Sequence, residues 1–459
     1  MSEFVVKVCK TEKVAAALPM QEHWLPLSNL DLLLPPVDFG IFFCYEHDET
    51  EQHFSQIVGA LKKALALTLV SYYAFAGVLV RNGAGEPELL CNNSGVDFME
   101  AVSDAGLEDL NLYNPDECVA GKLVPLKKRG VLAVQVTQLK RGGIVVACAV
   151  SHQVADAYSA NMFLVSWAEM ARCKQLSQPP SFRRSLLLSR RPGSFDHSVD
   201  SMFVTISDLP PDHSEDDGES AIRRIYYIKA DRIRELQQEA NAGNSKHNRI
   251  TKLEAFSAFL WKTVISADNS CRDNVCRLGI VVDGRSRLID GDADKAKLIN
   301  PYFGNVLSIP FGEKKFRDLN EKGLNWVASE VHEILKAAAG KEHFLGLIDW
   351  VEERRPEPAL ARIYAAKVTE EEPAVVVSSG KMFPIEKMDF GWGRPVFGSY
   401  DFPWGGKSGY VMPMPMPSAK GNGDWIVYMH LLRGQLELIE MNASNVFNPL
   451  TSDYVLPSV

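Results

Sequence analysis

The feature that most constrains this chain is the stretch IVVACAVSHQVADAYSANMF, whose apolar run 144–150 stops at Ser151 and His152. A short apolar run that gives way to a helix near Asp156 reads as a buried strand turning into a helix, the repeating unit of an α/β fold. The preceding segment VLAVQVTQL and the turn residues Lys140, Arg141, Gly142 and Gly143 complete a hairpin over residues 131–150. Beyond His152, Phe163, Trp167 and Met170 recur at helical spacing, so SANMFLVSWAEMARC should lay one face on that sheet.

A histidine at the lip of a buried strand, with an aspartate four residues on, suits general-base chemistry. Imidazole titrates near neutrality, so His152 can take a proton in one step and return it in the next. Spacing alone is cheap: His213 and Asp217 repeat it inside HSEDDGES, among acidic and small polar residues that read as exposed loop. Context singles out His152. A histidine merely satisfied at a strand end is the plain alternative, as is Asp156 acting only as a helix N-cap.

The 459 residues leave room for two or three domains, or one large pair sharing a cleft. An apolar fraction of 46% supports a large core, and a net charge of −9, from 49 basic and 58 acidic side chains, argues against broad nucleic-acid binding. The eight cysteines are scattered without a C-x-x-C pair, which gives no zinc signature and fits a reducing compartment. The opening segment MSEFVVKVCKTEKV lacks the apolar stretch of a signal peptide, and no run is read as reaching transmembrane length, so the cytosol is the expected address. No metal and no membrane partner is expected.

Along the chain, FVVKVCK reads as a strand and FSQIVGALKKALALTLV as an amphipathic helix. Residues 178–220 are rich in Pro, Ser and charge and read as a long crossover between an N-terminal domain, 1–177, and a C-terminal domain, 221–459. In the second half Thr251 and Glu254 form a capping box ahead of LEAFSAFLWKTVI. The strand RLGIVVDGRSRL, a long helix near 319–339 and the closing segment WIVYMHLLRGQLELI follow, without internal repeats. GGKS at 405–408 has no strand–loop–helix setting and Asp401 where a phosphate loop needs glycine. Ser408 sits in GKSGY, which is no nucleophile elbow, so a serine hydrolase is disfavoured.

Three patterns, SHQVADA at 151–157, NPYFGNV at 300–306 and DFGWGRP at 389–395, appear in an order and at separations that resemble the plant BAHD family of acyl-CoA-dependent acyltransferases. The resemblance runs from LPLSNLD at 25–31 to the carboxyl terminus; LPMQEHWLPLSNLDLLLPP and DAYSANMFLVSWAEM look most like the coniferyl alcohol acyltransferase subgroup. It implies two chloramphenicol-acetyltransferase-like α/β domains with mixed sheets and an active-site channel between them, open on two faces. Acyl-CoA would serve as co-substrate, a small alcohol as acceptor, with no permanently bound cofactor, in a monomer. Three departures stand out: Ala157 where glycine is usual, Ser151 where a second histidine is common, and Ser378-Ser379-Gly380 where many relatives have Thr-Ser-Trp. Losing the indole at Gly380 should widen the acceptor pocket or remove one donor, and the changes speak against shikimate-type specificity.

The resemblance makes His152 the base and gives Asp156 an orienting role through an arginine. Arg285 and Arg287 would fall on one side of a strand, and Arg285 is favoured. Ser378 is the candidate oxyanion donor. Asp389, Gly391, Trp392 and Gly393 would form a structural loop. On the CoA side, the helix start near Lys252 and Ser257 offers N–H groups to a phosphate, and Arg285 is counted with them. Coniferyl-type alcohols with acetyl-CoA are the expected substrates. Aromatic acyl transfer to an alkaloid alcohol such as a tropane is the alternative, and a non-catalytic binding protein on the same fold is the competing class.

Overall fold

The computed structural model describes residues 4–47, 53–209, 221–243, 249–265, 273–365, 372–403, 408–417 and 423–456. His213 and Asp217, and the GGK of GGKS, lie outside them. Two mixed sheets organise the protein. The first runs, in order, Val6–Val14, Val96–Ser103, Leu132–Gln138, Ile144–Ser151, Asp38–Tyr45 and Phe397–Asp401. The second runs Phe311–Lys315, Val275–Ile280, Ala374–Val377, Gly409–Pro415, Trp425–Leu432, Ala221–Ile228 and Asn448–Pro449. Each sheet mixes parallel pairs, such as Val96–Ser103 with Leu132–Gln138, into an antiparallel majority.

The expected hairpin forms as Leu132–Gln138 and Ile144–Ser151, paired antiparallel, and every residue of the second strand is buried. That strand lies inside the sheet between Leu132–Gln138 and Asp38–Tyr45, with both faces covered, which is why it is apolar without alternation. The helix Ala157–Ala171 follows and buries Phe163 and Trp167. Trp167 Nε1 donates to the Leu61 carbonyl at 3.0 Å, tying it to the helix Phe54–Ser71. That neighbour corrects one expectation: at 18 residues it is long and apolar enough to cross a membrane by length and composition alone. Here Ile57, Leu61, Leu65 and Leu69 spend its apolar stripe on the core.

The division of the chain is less clean than its composition suggests. The strand Phe397–Asp401, from the second half, completes the first sheet by pairing antiparallel with Asp38–Tyr45. The crossover is not featureless: its strand Phe203–Thr205 pairs with Ala359–Ala361, and Arg184 donates to the Phe303 carbonyl at 2.6 Å and the Tyr302 hydroxyl at 2.8 Å. The long helix near 319–339 is two, Phe316–Glu321 and Leu324–Lys336. The segment RLGIVVDGRSRL is strand only to Asp283 and then becomes the short helix Arg285–Ile289.

Candidate active site

His152 follows the last residue of the strand Ile144–Ser151, where the strand gives way to the turn into the helix Ala157–Ala171. Its backbone N–H continues the ladder to the Val37 carbonyl at 2.9 Å, and its own carbonyl accepts from Asn305 Nδ2 at 2.9 Å. The imidazole stands edge-on to Phe39, 5.0 Å between centroids, and to Phe402 at 5.7 Å. Burial among these rings holds its pKa below the ordinary histidine value. At neutral pH the ring is therefore neutral, the state a general base needs.

Asp156 is buried and does two things at once. Its Oδ1 caps the helix by accepting from Ser159 N–H at 2.8 Å. Its two oxygens also take Arg285 Nη1 at 2.8 Å and Nη2 at 3.2 Å, and Oδ2 accepts from Val306 N–H at 3.2 Å. Arg285 completes the knot with the Gly304 carbonyl at 2.9 Å, Ser159 Oγ at 3.1 Å and Asp283 Oδ1 at 3.2 Å. Ala157 occupies the first helical position, where an ordinary backbone angle needs no glycine.

His152, Asp156 and Ser378 all line one cavity, of about 1090 Å³ including its open mouth, and so do Tyr364, Tyr400, Phe402 and Tyr410. The crossing strand Phe397–Asp401 delivers Tyr400 and, just past its end, Phe402, so the wall around the histidine comes from both halves of the chain. The cavity shares Tyr158, Asn161, Lys381 and Met382 with a second cavity, and Leu34 and Pro35 with a third. Ser378 follows the strand Ala374–Val377, its backbone N–H bonded to the Val411 carbonyl at 2.9 Å. Burial pushes the phenol of Tyr410 well above its usual range.

Other expected residues land elsewhere. Arg285 and Arg287 are on a helix, not a strand: Arg285 is buried and Arg287 exposed. With its guanidinium consumed by Asp156 and carbonyls, Arg285 is no CoA ligand. Lys252 is exposed and Ser257 fully buried, and neither lines the cavity. At the start of their helix the Glu254 carboxylate accepts Thr251 N–H at 2.6 Å and meets His332 Nδ1 at 2.7 Å. A phosphate there would face that carboxylate.

Asp389, Gly391, Trp392 and Gly393 build a loop outside this cavity. Asp389 Oδ1 accepts from Gly391 N–H at 2.8 Å and Gly393 N–H at 3.2 Å, and both glycines have φ above +110°. Trp392 stacks on Phe390 and meets Tyr45 edge-on. The loop leads into the strand Phe397–Asp401. Gly380 does not open the pocket as its lack of a side chain suggested. A Cβ there would lie 2.4 Å from Met414 Cγ and 2.6 Å from the Pro413 carbonyl, so the vacated space is already filled. The sequence reading missed Tyr400, Phe402 and Tyr410, and also Asp31 and Asn305, although the last two lie inside the quoted LPLSNLD and NPYFGNV. Among the described residues no cluster of three metal-ligating side chains occurs.

The sequence matches the model of the Transferase family over residues 4–446. This chain belongs to that family, the BAHD acyltransferases. Two BAHD relatives span nearly the whole protein. Shikimate O-hydroxycinnamoyltransferase of Nicotiana tabacum is 28% identical over 446 residues, covering 95% of this chain and 98% of the relative. Rosmarinate synthase of Plectranthus scutellarioides is 28% identical, covering 93% and 96%. The fold is shared with F. graminearum TRI101 complexed with coenzyme A and T-2 mycotoxin, at a TM-score of 0.75, 15% identity and coverage of 93% and 99%. It is also shared with vinorine synthase, at 0.68, 19% identity and coverage of 98% and 100%. The protein is thus an acyltransferase with the mixed two-sheet α/β architecture of its family.

Proposed function

We propose that this BAHD protein is an acyl-CoA-dependent O-acyltransferase, a cytosolic monomer, that esterifies an aromatic alcohol of plant specialised metabolism, with coniferyl-type alcohols and acetyl-CoA as the first substrates to try. The observation that carries the reading is a neutral, half-buried His152 in a cavity walled by Tyr364, Tyr400, Phe402 and Tyr410. Aromatic walls favour a flat apolar substrate. Among the described lining residues Lys381 is the one cation, against Asp156 and Asp283, which is poor provision for an acceptor carboxylate. The cavities adjoining at Lys381 and Met382, and at Leu34 and Pro35, give two approaches to the histidine, one for each substrate.

In the reaction His152 removes the hydroxyl proton as the acceptor oxygen attacks the thioester carbonyl. The tetrahedral oxyanion forms near the Ser378 hydroxyl. Collapse breaks the carbon–sulfur bond, and the imidazolium returns the proton to the departing thiolate, leaving ester and free CoA. Asp283, a second carboxylate in the cavity wall, favours a second reading in which the alcohol belongs to a cationic alkaloid. A matrix of acetyl-, benzoyl- and hydroxycinnamoyl-CoA against phenylpropanoid and tropane alcohols, with mass detection of esters, tests both. Ester from coniferyl alcohol supports the first reading and preference for the amine alcohols the second. Absence of turnover with every pair would favour a binding protein.

A further inference from the structure

Phe402, whose ring stands edge-on to the proposed base, lies one residue past the strand Phe397–Asp401, beyond the last pair of its ladder, Asp401 with Gly40. Its backbone is held all the same. The Tyr428 hydroxyl accepts from the Phe402 N–H at 3.1 Å and donates to the Phe402 carbonyl at 3.1 Å. A hydroxyl is both donor and acceptor, so one atom at the tip of one side chain serves both backbone groups of this residue. Tyr428 is fully buried in the strand Trp425–Leu432 of the second sheet. Burial pushes its phenol far above the usual range, so the hydroxyl keeps the proton it donates.

The two bonds tie the sheets together beside the histidine. Its other aromatic neighbour, Phe39, needs no such tie, because it pairs with Val150 inside the ladder of Asp38–Tyr45 and Ile144–Ser151. The Phe402 ring also meets Tyr410 edge-on at 4.6 Å, and Tyr410 is carried by the strand Gly409–Pro415 of the second sheet. Next in the chain, the Asp401 carboxylate lies 3.1 Å from Arg223 Nε, and Arg223 Nη1 reaches Asp116 Oδ1 at 2.5 Å. Removing the Tyr428 hydroxyl takes a partner from a buried N–H and a buried carbonyl, a costly state in a core. Water that enters to serve them enters beside the imidazole.

We propose that Tyr428 is a positioning residue for His152 that acts through Phe402: by fixing the Phe402 backbone it holds that ring against the imidazole, keeps water off that side and steadies the base when the alcohol arrives. The catalytic part rests on the acyltransferase reading with His152 as base, whereas the tie itself is a property of the resting protein.

Tyr428→Phe removes the hydroxyl and keeps the ring. It should lower kcat about 10- to 100-fold, the scale of a small misplacement beside the reacting atoms. A merely structural role would reduce the active fraction and leave the titration of His152 in place, so that titration is the decisive readout. In full-length protein labelled with 13C-histidine, the His152 signal is identified by its loss in His152→Gln. It should titrate below about 6.5 in the unmutated protein and move up toward that value in Tyr428→Phe, as water reaches the ring. The ring's own signal is needed because Asp401, held up at about 6 by burial, and His430, held down at about 4, are neighbours. Asp156, Asp283, Lys381 and the phenols of the wall face the same cavity. Phe402→Ala should raise the titration in the same way, and adding Tyr428→Phe to it should change neither titration nor kcat further. An unmoved His152 titration with wild-type kcat in Tyr428→Phe overturns the proposal, and so does a fully additive double variant. If Tyr428→Phe does not fold, hydrogen exchange in the unmutated protein decides. The Phe402 amide should be protected as well as the paired strand before it, and exchange at the rate of an open loop sinks the proposal. Absence of turnover by the unmutated enzyme, or full activity in His152→Ala, would end the base assignment while the titration and exchange results stand.

Discussion

Replacing Arg285 by methionine should damage the protein more than neutralising the aspartate it pairs with, although both break one ion pair. Without Arg285, the Asp156 carboxylate, 1% exposed, keeps only the Ser159 N–H at 2.8 Å and the Val306 N–H at 3.2 Å. An uncompensated buried charge of this kind costs about 3–5 kcal/mol. Asp156→Asn leaves Arg285 better provided, with Asp283 at 3.2 Å and the Gly304 carbonyl at 2.9 Å, and asparagine can still cap the helix. Its cost should be about 2–3 kcal/mol, the scale of hydrogen bonds to charged groups. The double variant Asp156→Asn/Arg285→Met removes both charges and should lose less than the two singles summed. Urea unfolding followed by circular dichroism reads all three. Arg285→Met costing no more than an exposed ion pair, about 1 kcal/mol, or a strictly additive double variant, would refute the account of this knot as a buried, mutually compensated pair.

Further outcomes follow from the site. His152→Ala should cut kcat by about two to four orders of magnitude while CoA binding, read by calorimetry, persists. In the unmutated enzyme the acidic limb of kcat/KM should fall below about pH 6.5, because burial lowers the His152 pKa, and a limb at or above that value would contradict it. Ser378→Ala should lower kcat by about 10² with KM little altered, and equal kcat in steady-state assays would move the oxyanion donor elsewhere. Burial and the nearby Arg223 cation hold His430 down to about 4. The unfolded chain therefore binds the extra proton first, and stability is lost as pH falls from about 6.5 toward 4. His430→Gln should remove about 2–3 kcal/mol of that loss in paired urea titrations, and parallel curves for the two proteins would exclude it.

Local chemistry wrote the elements nearest the histidine plainly. The hairpin over 131–150, the Asp156 cap and the Thr251–Glu254 box each depend on residues a few positions apart, and each forms. The strand Phe397–Asp401 shows the limit. Its partner Asp38–Tyr45 lies far away in the chain, and no local pattern says which sheet an apolar strand will join. Arg285 was misplaced for a related reason: alternation holds while a strand lasts, and this one ends at Asp283, so the following arginine turns inward on a helix. Lys252 and Ser257 belong to a helix whose start also faces the Glu254 carboxylate, three residues into the same cap.

Gly380 and Asn305 show why chemistry-bearing positions resist reading one residue at a time. A glycine in place of an indole reads as space until Met414 and Pro413, on a neighbouring strand, are seen to occupy it. An asparagine in NPYFGNV carries no signal of its own until Asp31, 274 positions away, takes one of its side-chain amide hydrogens and the His152 carbonyl, 153 positions away, takes the other. In both cases the residue's meaning is set by what the fold brings against it. The base itself was legible because proton transfer needs a histidine and a strand end supplies one. The groups around it were not, since only the packed geometry brings Asn305, held by Asp31, to the His152 carbonyl.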